Sequence, residues 1–270
     1  MSSGLRQRVV TGLLLAGLVI AILLLLPPAV AVAAVLIVVA AGAWEWAGFA
    51  GLTAPAARFA YVVAIGLAVA AAWRLTSSTP ALVAFLAATA AWWVAALVWL
   101  AVAPARGGPR AAALAGFAVL VSAAIGITRL VAIESEGRVL MLFLLVLIAA
   151  ADVGAYFGGR ALGRHKLAPR VSPGKTWEGF AAGMLASMLA AGVGAALFGR
   201  PLLPWLAVCA VVALVSVVGD LAESMFKRRA GLKDSSALLP GHGGVLDRVD
   251  SLTAAGPVFL LGLLALGVAA

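Results

Sequence analysis

Charge is scarce in this chain. Charged side chains make up 11% of its 270 residues, where a soluble globular domain carries about 25%. The shortfall excludes a water-soluble monomer, because too little polar surface remains to cover a core. It excludes a disordered chain as well, since disorder needs low hydropathy and high charge. Cysteine is almost missing: Cys209 stands alone in an apolar run, so no disulfide framework can form within the chain. The two histidines, His165 and His242, lie at no metal-ligand spacing, which argues against a zinc site. Acids are rarest in the first 110 residues, where Glu45 is the only one.

What the chain has instead is apolar length. Hydrophobic residues reach 65% and the mean hydropathy is +1.16. The runs are unbroken, unlike the alternating strands of an outer-membrane barrel. A span needs about 20 apolar residues to cross the hydrocarbon core. Nine runs qualify or nearly so: Val9–Leu26, Ala29–Ala50, Phe59–Leu75, Ala81–Ala103, Ala111–Ile133, Val139–Tyr156, Trp177–Phe198, Leu202–Gly219 and Ser251–Ala270. Prolines, glycines and polar residues punctuate them. Backbone amides in lipid must be satisfied internally, so each run is expected to be a helix, and the many Gly and Ala residues permit close helix packing. The first run follows Arg6 and Arg8 in the manner of a secretion signal, but it exceeds the roughly 7–15 residues of a signal core and is expected to be retained. The expected fold class is therefore all-α, a polytopic integral membrane protein with about nine transmembrane helices. Residues 1–110 read as scaffold and lipid-facing wall, and residues 111–270 as the catalytic region with polar loops at 157–176 and 220–250. No internal repeat is evident, which counts against inverted-repeat transporter folds.

The basic residues orient the chain. With nine spans and a cytoplasmic N-terminus, only Arg74, Arg129, Arg138 and Arg200 fall on the far side, leaving 15 of the 19 basic residues facing the cytoplasm. The positive-inside rule selects that arrangement. The two polar loops alone hold ten of the 19, so polar chemistry is expected at the cytoplasmic face.

In the second loop, Asp220, Glu223, Ser224 and Lys227 share one helical face if the preceding span continues, being three and four residues apart. Asp247 and Asp250, again three apart, sit where the last span begins. Carboxylates brought together from two helix ends suit Mg²⁺, which takes one or two of them and completes its shell with water and substrate phosphates. The plainer alternative is that they pair with neighbouring Lys and Arg. His242-Gly243-Gly244 provides either an anion-binding turn of exposed amides, with His242 on a phosphate, or a simple capped turn. In the first loop, Gly174-Lys175-Thr176 imitates the tail of a P-loop. The imitation fails, because Pro169 stands where the first glycine belongs and no strand is expected before it. Lys175 and Arg170 meeting anionic groups, with Trp177 at the lipid boundary, is the alternative to an ordinary basic loop. Asp152 lies inside an apolar span, where a carboxylate is costly to keep without purpose.

The run from Ser224 to Asp250, with Phe226-Lys227-Arg228, Lys233-Asp234, Ser236, Leu239-Pro240, His242-Gly243-Gly244-Val245 and Asp247-Arg248-Val249-Asp250, resembles the signature of the phosphatidate cytidylyltransferases, also called CDP-diacylglycerol synthases. Asp152 to Arg160 and Ser172 to Gly179 are similar to that family too, so the resemblance covers roughly Ala150–Leu252. It implies a multi-pass enzyme of a bacterial-type inner membrane, with its active site on the cytoplasmic face. Such an enzyme transfers CMP from CTP to phosphatidic acid and releases pyrophosphate, with no nucleic-acid partner. It also implies Mg²⁺ with a monovalent cation such as K⁺ alongside, and a homodimer. Carried onto this chain, Asp220, Asp247 and Asp250 become the metal carboxylates and, with Lys227, the catalytic set. Asp152, Ser172, Lys175, Ser224, Arg228, Lys233, His242, Gly243, Gly244 and Arg248 become substrate contacts. Two other readings stand beside it: the same chemistry on a different lipid phosphate, and an anion or lipid transporter.

Overall fold

The computed structural model describes residues 3–268 apart from Ser135, Pro240 and His242. Nine helices follow one another among the described residues: α1 (Ser3–Leu25), α2 (Pro28–Phe49), α3 (Pro55–Leu75), α4 (Thr79–Val102), α5 (Pro109–Val131), α6 (Gly137–Leu162), α7 (Trp177–Leu197), α8 (Leu202–Arg229) and α9 (Leu246–Ala265). Between α6 and α7 lies a small antiparallel hairpin, β1 (Lys166–Ala168) with β2 (Ser172–Thr176), an addition to the all-helical expectation. Helices α2 to α9 are long and apolar enough to cross a membrane, while the apolar stretch of α1, Val10–Leu25, is shorter. Prolines open α2, α3, α4 and α5, where the missing N–H costs nothing and the fixed φ suits the first turn.

The elements agree with the expected spans except at one end. Helix α6 continues past Tyr156 to Leu162, α8 past Gly219 to Arg229, and α9 begins at Leu246. An apolar run marks where lipid ends; the helix ends only when its hydrogen-bonding pattern is interrupted, here at Gly163 and Gly231.

Helix α5 is the central element and is buried over most of its length. Helices α2 and α3 are strapped to its first turn: the Trp46 indole donates to the Ala112 carbonyl at 2.8 Å and the Tyr61 hydroxyl to that of Ala113 at 2.8 Å. Helices α6 and α7 lie backbone to backbone, since a Cβ on Gly183 would sit 2.6 Å from the Ala151 carbonyl. Many large apolar side chains on the outer faces, among them Leu13, Ile37, Phe59, Leu67 and Leu189, remain exposed. That is the surface expected of a protein whose solvent on those faces is lipid.

The two ends of the bundle differ in kind. At one end, Arg129 donates to the Trp73 and Thr76 carbonyls, Arg138 to that of Leu26, and Arg200 pairs with Glu136. Three of the four basic residues assigned to the far side are thus tied to the ends of neighbouring helices. The polar loops, the hairpin and almost every remaining charge gather at the opposite end.

Candidate active site

Three elements converge at the charged end: the hairpin, the last turns of α8 and the first turns of α9. The hairpin is held by its ends. Thr176 accepts a hydrogen bond from the Gly179 amide and so caps α7. Glu178, in the first turn of that helix, accepts from the Arg164 and His165 amides and meets His165 Nδ1 at 2.6 Å. This lays β2 against α8, where Lys175 Nζ reaches Asp220 Oδ2 at 2.5 Å. The other Asp220 oxygen accepts from the Ser224 hydroxyl one turn on, at 3.3 Å.

Helices α8 and α9 come together closely beside Asp220. A Cβ on Gly219 would lie 2.8 Å from the Asp250 carbonyl and 2.8 Å from the Ala254 methyl. Only glycine permits that approach, and it brings the two acid-bearing helix ends face to face. Lys227 bridges them, with its ammonium 2.6 Å from Asp247 Oδ1 and 3.1 Å from Glu223 Oε1. Glu223 is within electrostatic range of Asp250 and Asp247, Asp250 of Asp220, and Asp152 of Asp220, Lys175 and Arg248. The acids named from sequence therefore form one contiguous electrostatic neighbourhood.

Within it they do different work. Asp247 is saturated: Oδ1 holds Lys227, while Oδ2 accepts from the Ser235 amide at 2.8 Å, the Ser235 hydroxyl at 2.9 Å and the Gly244 amide at 2.8 Å. Glu223 is the opposite case. It is 3% exposed, its Oε1 meets only the Lys227 ammonium that Asp247 also holds, and its Oε2 has no partner among the described residues, although a buried carboxylate is normally bonded in full. Asp250 Oδ1 accepts from the following amide at 2.7 Å.

Gly243 and Gly244 are explained by contact. Gly243 has φ +77°, and a Cβ there would meet Asp247 Oδ2 at 2.6 Å; one on Gly244 would meet Ser235 Oγ at 2.0 Å and Glu45 Oε1 at 2.5 Å. The Gly244 amide of this turn is given to the chain's own Asp247. His242 lies outside the described residues. Arg228, Lys233 and Arg248 are exposed. The neighbouring Arg229 is not part of that group: it donates to the Pro104 carbonyl at 2.8 Å and stacks over Trp99 at 4.7 Å, clamping α8 to the end of α4. Ser172 sits at the far end of β2, opposite Ala168.

Beside the acids opens a cleft of about 410 Å³ between α6, α7 and the hairpin. Asp152, Arg160, Lys175 and Thr176 line it together with Tyr156, Phe180, Met184 and Val217. Polar groups therefore face an otherwise apolar wall one turn from Asp220.

Residues 6–266 match the model of the cytidylyltransferase family. The chain belongs to that family. Its relatives include the phosphatidate cytidylyltransferase of Pseudomonas aeruginosa, 42% identical over 97% of this chain and 98% of that protein. The Haemophilus influenzae enzyme of the same name is 37% identical over 94% and 97%. That of Brucella suis is 48% identical over a shorter match, 47% of this chain and 48% of its own length.

Two acids here have no place in the site expected from sequence: Glu223 shares the expected helical face without a role, and Glu45 falls in the stretch expected to be scaffold. In the structure Glu45 is 3% exposed and accepts from Ser235, Ser236, Val245 and Leu246. The signal was present: one acid in a long apolar region needs a partner to be tolerated.

Proposed function

We propose that this protein transfers CMP from CTP to phosphatidic acid, giving CDP-diacylglycerol and pyrophosphate. Family membership supports the cytidylyl chemistry. The observation that carries the site is the bond from Lys175, which lines a cleft with apolar walls, to Asp220, at the point where Gly219 lets α8 meet α9 beside Asp250.

Phosphatidate brings its own nucleophile. An ionised phosphate oxygen forms a bond to the α-phosphorus of CTP as the bond from that phosphorus to the β-phosphate oxygen breaks, and pyrophosphate leaves. No general base is needed. The obstacle is repulsion between two polyanions, so catalysis rests on positioning and charge neutralisation. Lys175 is placed to exchange Asp220 for a phosphate oxygen, and the exposed Arg228, Lys233 and Arg248 supply a positive approach for the nucleotide. Lys227 and Asp247 hold α8 against α9, so that Asp220, Glu223 and Asp250 keep their relative positions. The cleft between α6 and α7 accepts the lipid, tails against apolar walls and head group toward Lys175.

Mg²⁺ fits the oxygens present. Among the described residues no three acids, histidines or cysteines form a ready metal cage. Mg²⁺ commonly needs only one or two carboxylates and takes its other ligands from water and phosphates. Asp220 and Asp250 would hold it with the buried Glu223 behind them, and Asp247 would join them where its Oδ1 exchanges Lys227 for the cation. Bound there, it would neutralise the triphosphate and stabilise the leaving pyrophosphate. A K⁺ beside it, a homodimer, and an inner-membrane setting with this end toward the cytoplasm belong to the same reading. The orientation is supported by the gathering of basic residues at this end.

The test is direct: purified protein, phosphatidate-containing micelles, Mg²⁺ and radiolabelled CTP. Labelled CDP-diacylglycerol with stoichiometric pyrophosphate is expected. No lipid product under saturating phosphatidate would refute the proposal, and product only with another lipid phosphate would redirect it to that acceptor.

A further inference from the structure

Helix α9 carries Asp247 and Asp250, yet it has no cap of its own. Its N-cap position is Val245, whose side chain can accept nothing, and Gly244 precedes it. The first amides of a helix have no intrahelical acceptor and carry partial positive charge. Here the acceptor comes from α2. Glu45 Oε1 takes the Val245 amide at 3.0 Å and Oε2 the Leu246 amide at 2.8 Å. The same carboxylate receives the Ser236 hydroxyl at 2.6 Å and shares the single Ser235 hydroxyl proton, 2.9 Å away, with Asp247. Four donors around one buried carboxylate leave it no other task, and all four belong to the connection between α8 and α9 or to the first residue of α9.

That connection also holds Asp247. The Ser235 hydroxyl lies 2.9 Å from Glu45 Oε2 and 2.9 Å from Asp247 Oδ2, and the Ser235 and Gly244 amides both go to Asp247. A continuous chain of contacts therefore runs from Glu45 through Ser235 to Asp247 and on to Lys227 and Glu223. We infer that Glu45 is a positioning residue for the cytidylyl transfer. From the N-terminal half of the chain it seats the α8–α9 connection and the start of α9, and so sets where Asp247 and Asp250 stand relative to α8. It touches neither substrate. The inference rests on the proposed activity, but the loop-seating part of it can be read without turnover.

Glu45→Gln keeps the shape and replaces one acceptor oxygen by a donor facing donors. The expected result is a kcat lowered by about 30-fold or more, as misplacement near an ångström produces, with the KM for CTP changed by less than about threefold, the pattern of a group acting only in the transition state. Tryptic cleavage at the exposed Lys233 should become faster by about tenfold, because the connection opens locally more often. Glu45→Asp, which keeps the charge, should recover part of both. Trp205→Phe is the control: it removes a buried bond to the Ala191 carbonyl at the other end of the bundle. It should lower Tm without changing Lys233 cleavage or kcat at a temperature well below unfolding. Should Glu45→Gln misfold, Ser236→Ala removes one of the four donors and should shift both readouts the same way by a smaller factor. Native kcat and native Lys233 cleavage in Glu45→Gln, or in Ser236→Ala where that variant stands in, would overturn the inference. So would the same losses in Trp205→Phe, which would make the effect one of general stability. An inactive wild-type protein would instead refute the proposed reaction, and the cleavage rates would still decide whether Glu45 seats the connection.

Discussion

Replacing Asp247 with asparagine turns one carboxylate oxygen into an NH₂ group at the point where α8, α9 and their connection meet. Asparagine keeps one acceptor and must choose between two sets of donors. Facing the loop, its oxygen retains the Ser235 and Gly244 bonds, and its NH₂ group confronts the Lys227 ammonium that Asp247 Oδ1 had held at 2.6 Å. The charge-assisted bond to Lys227 is then lost, at about 1.5–3 kcal/mol, and the bonds that remain weaken because their acceptor is no longer charged. Glu223 still accompanies Lys227 at 3.1 Å, which limits the penalty below the roughly 3–5 kcal/mol of an ammonium left wholly unpaired. A total near 3 kcal/mol corresponds to a Tm lower by about 6–12 °C for a chain of this size. Turnover should fall by more than about 100-fold, because Lys227 and the start of α9 are no longer locked together. Pyrophosphate release and thermal unfolding, both in one detergent, measure the two quantities. Activity within about threefold of wild type at an unchanged Tm would refute the reasoning, since it would mean that four hydrogen bonds to one buried carboxylate hold nothing that the reaction needs.

Other substitutions divide the cluster by role. Lys175→Met removes the hairpin's bond to Asp220 between partly exposed partners (29% and 24%), so stability should change by less than about 1 kcal/mol. CTP turnover should nevertheless fall by more than about tenfold, as pyrophosphate assays would register. Glu223→Gln removes the charge of a buried carboxylate whose partner, Lys227, is also held by Asp247. Its Tm should hold or rise while the Mg²⁺ concentration for half-maximal activity rises by about tenfold, and an unchanged Mg²⁺ requirement would remove Glu223 from the cation's surroundings. Arg228→Ala and Arg229→Ala should behave oppositely in paired kinetic and unfolding measurements. The exposed Arg228 affects the KM for CTP and not Tm, whereas Arg229, bonded to the Pro104 carbonyl and stacked on Trp99, affects Tm and not KM.

Much of this protein could be read one residue at a time. Hydropathy placed every span, with α6, α8 and α9 extending beyond theirs at the charged end, because crossing lipid demands long apolar runs whatever the rest of the chain does. The distribution of Arg and Lys marked the end of the bundle where the charges gather. The spacing of Asp220, Glu223, Ser224 and Lys227 placed them on one face before any neighbour was known, since that follows from helical pitch alone. These are local properties, settled by backbone geometry and by solvent.

Pairings between distant segments are of another kind. The close approach of α8 and α9 at Gly219, the reach of Lys175 from the hairpin to Asp220, and the split between an engaged Arg229 and an exposed Arg228 all depend on which surfaces meet. So does the contrast between Asp247, engaged by Lys227 and by the connection, and Glu223, which meets Lys227 alone. Glu45 makes the point most plainly. Its isolation among apolar residues announced that a partner was needed, but the partner is a helix N-terminus two hundred residues further along the chain, and no periodicity connects the two. A hydrogen bond is a matter of a few tenths of an ångström, and such distances exist only once the helices have packed.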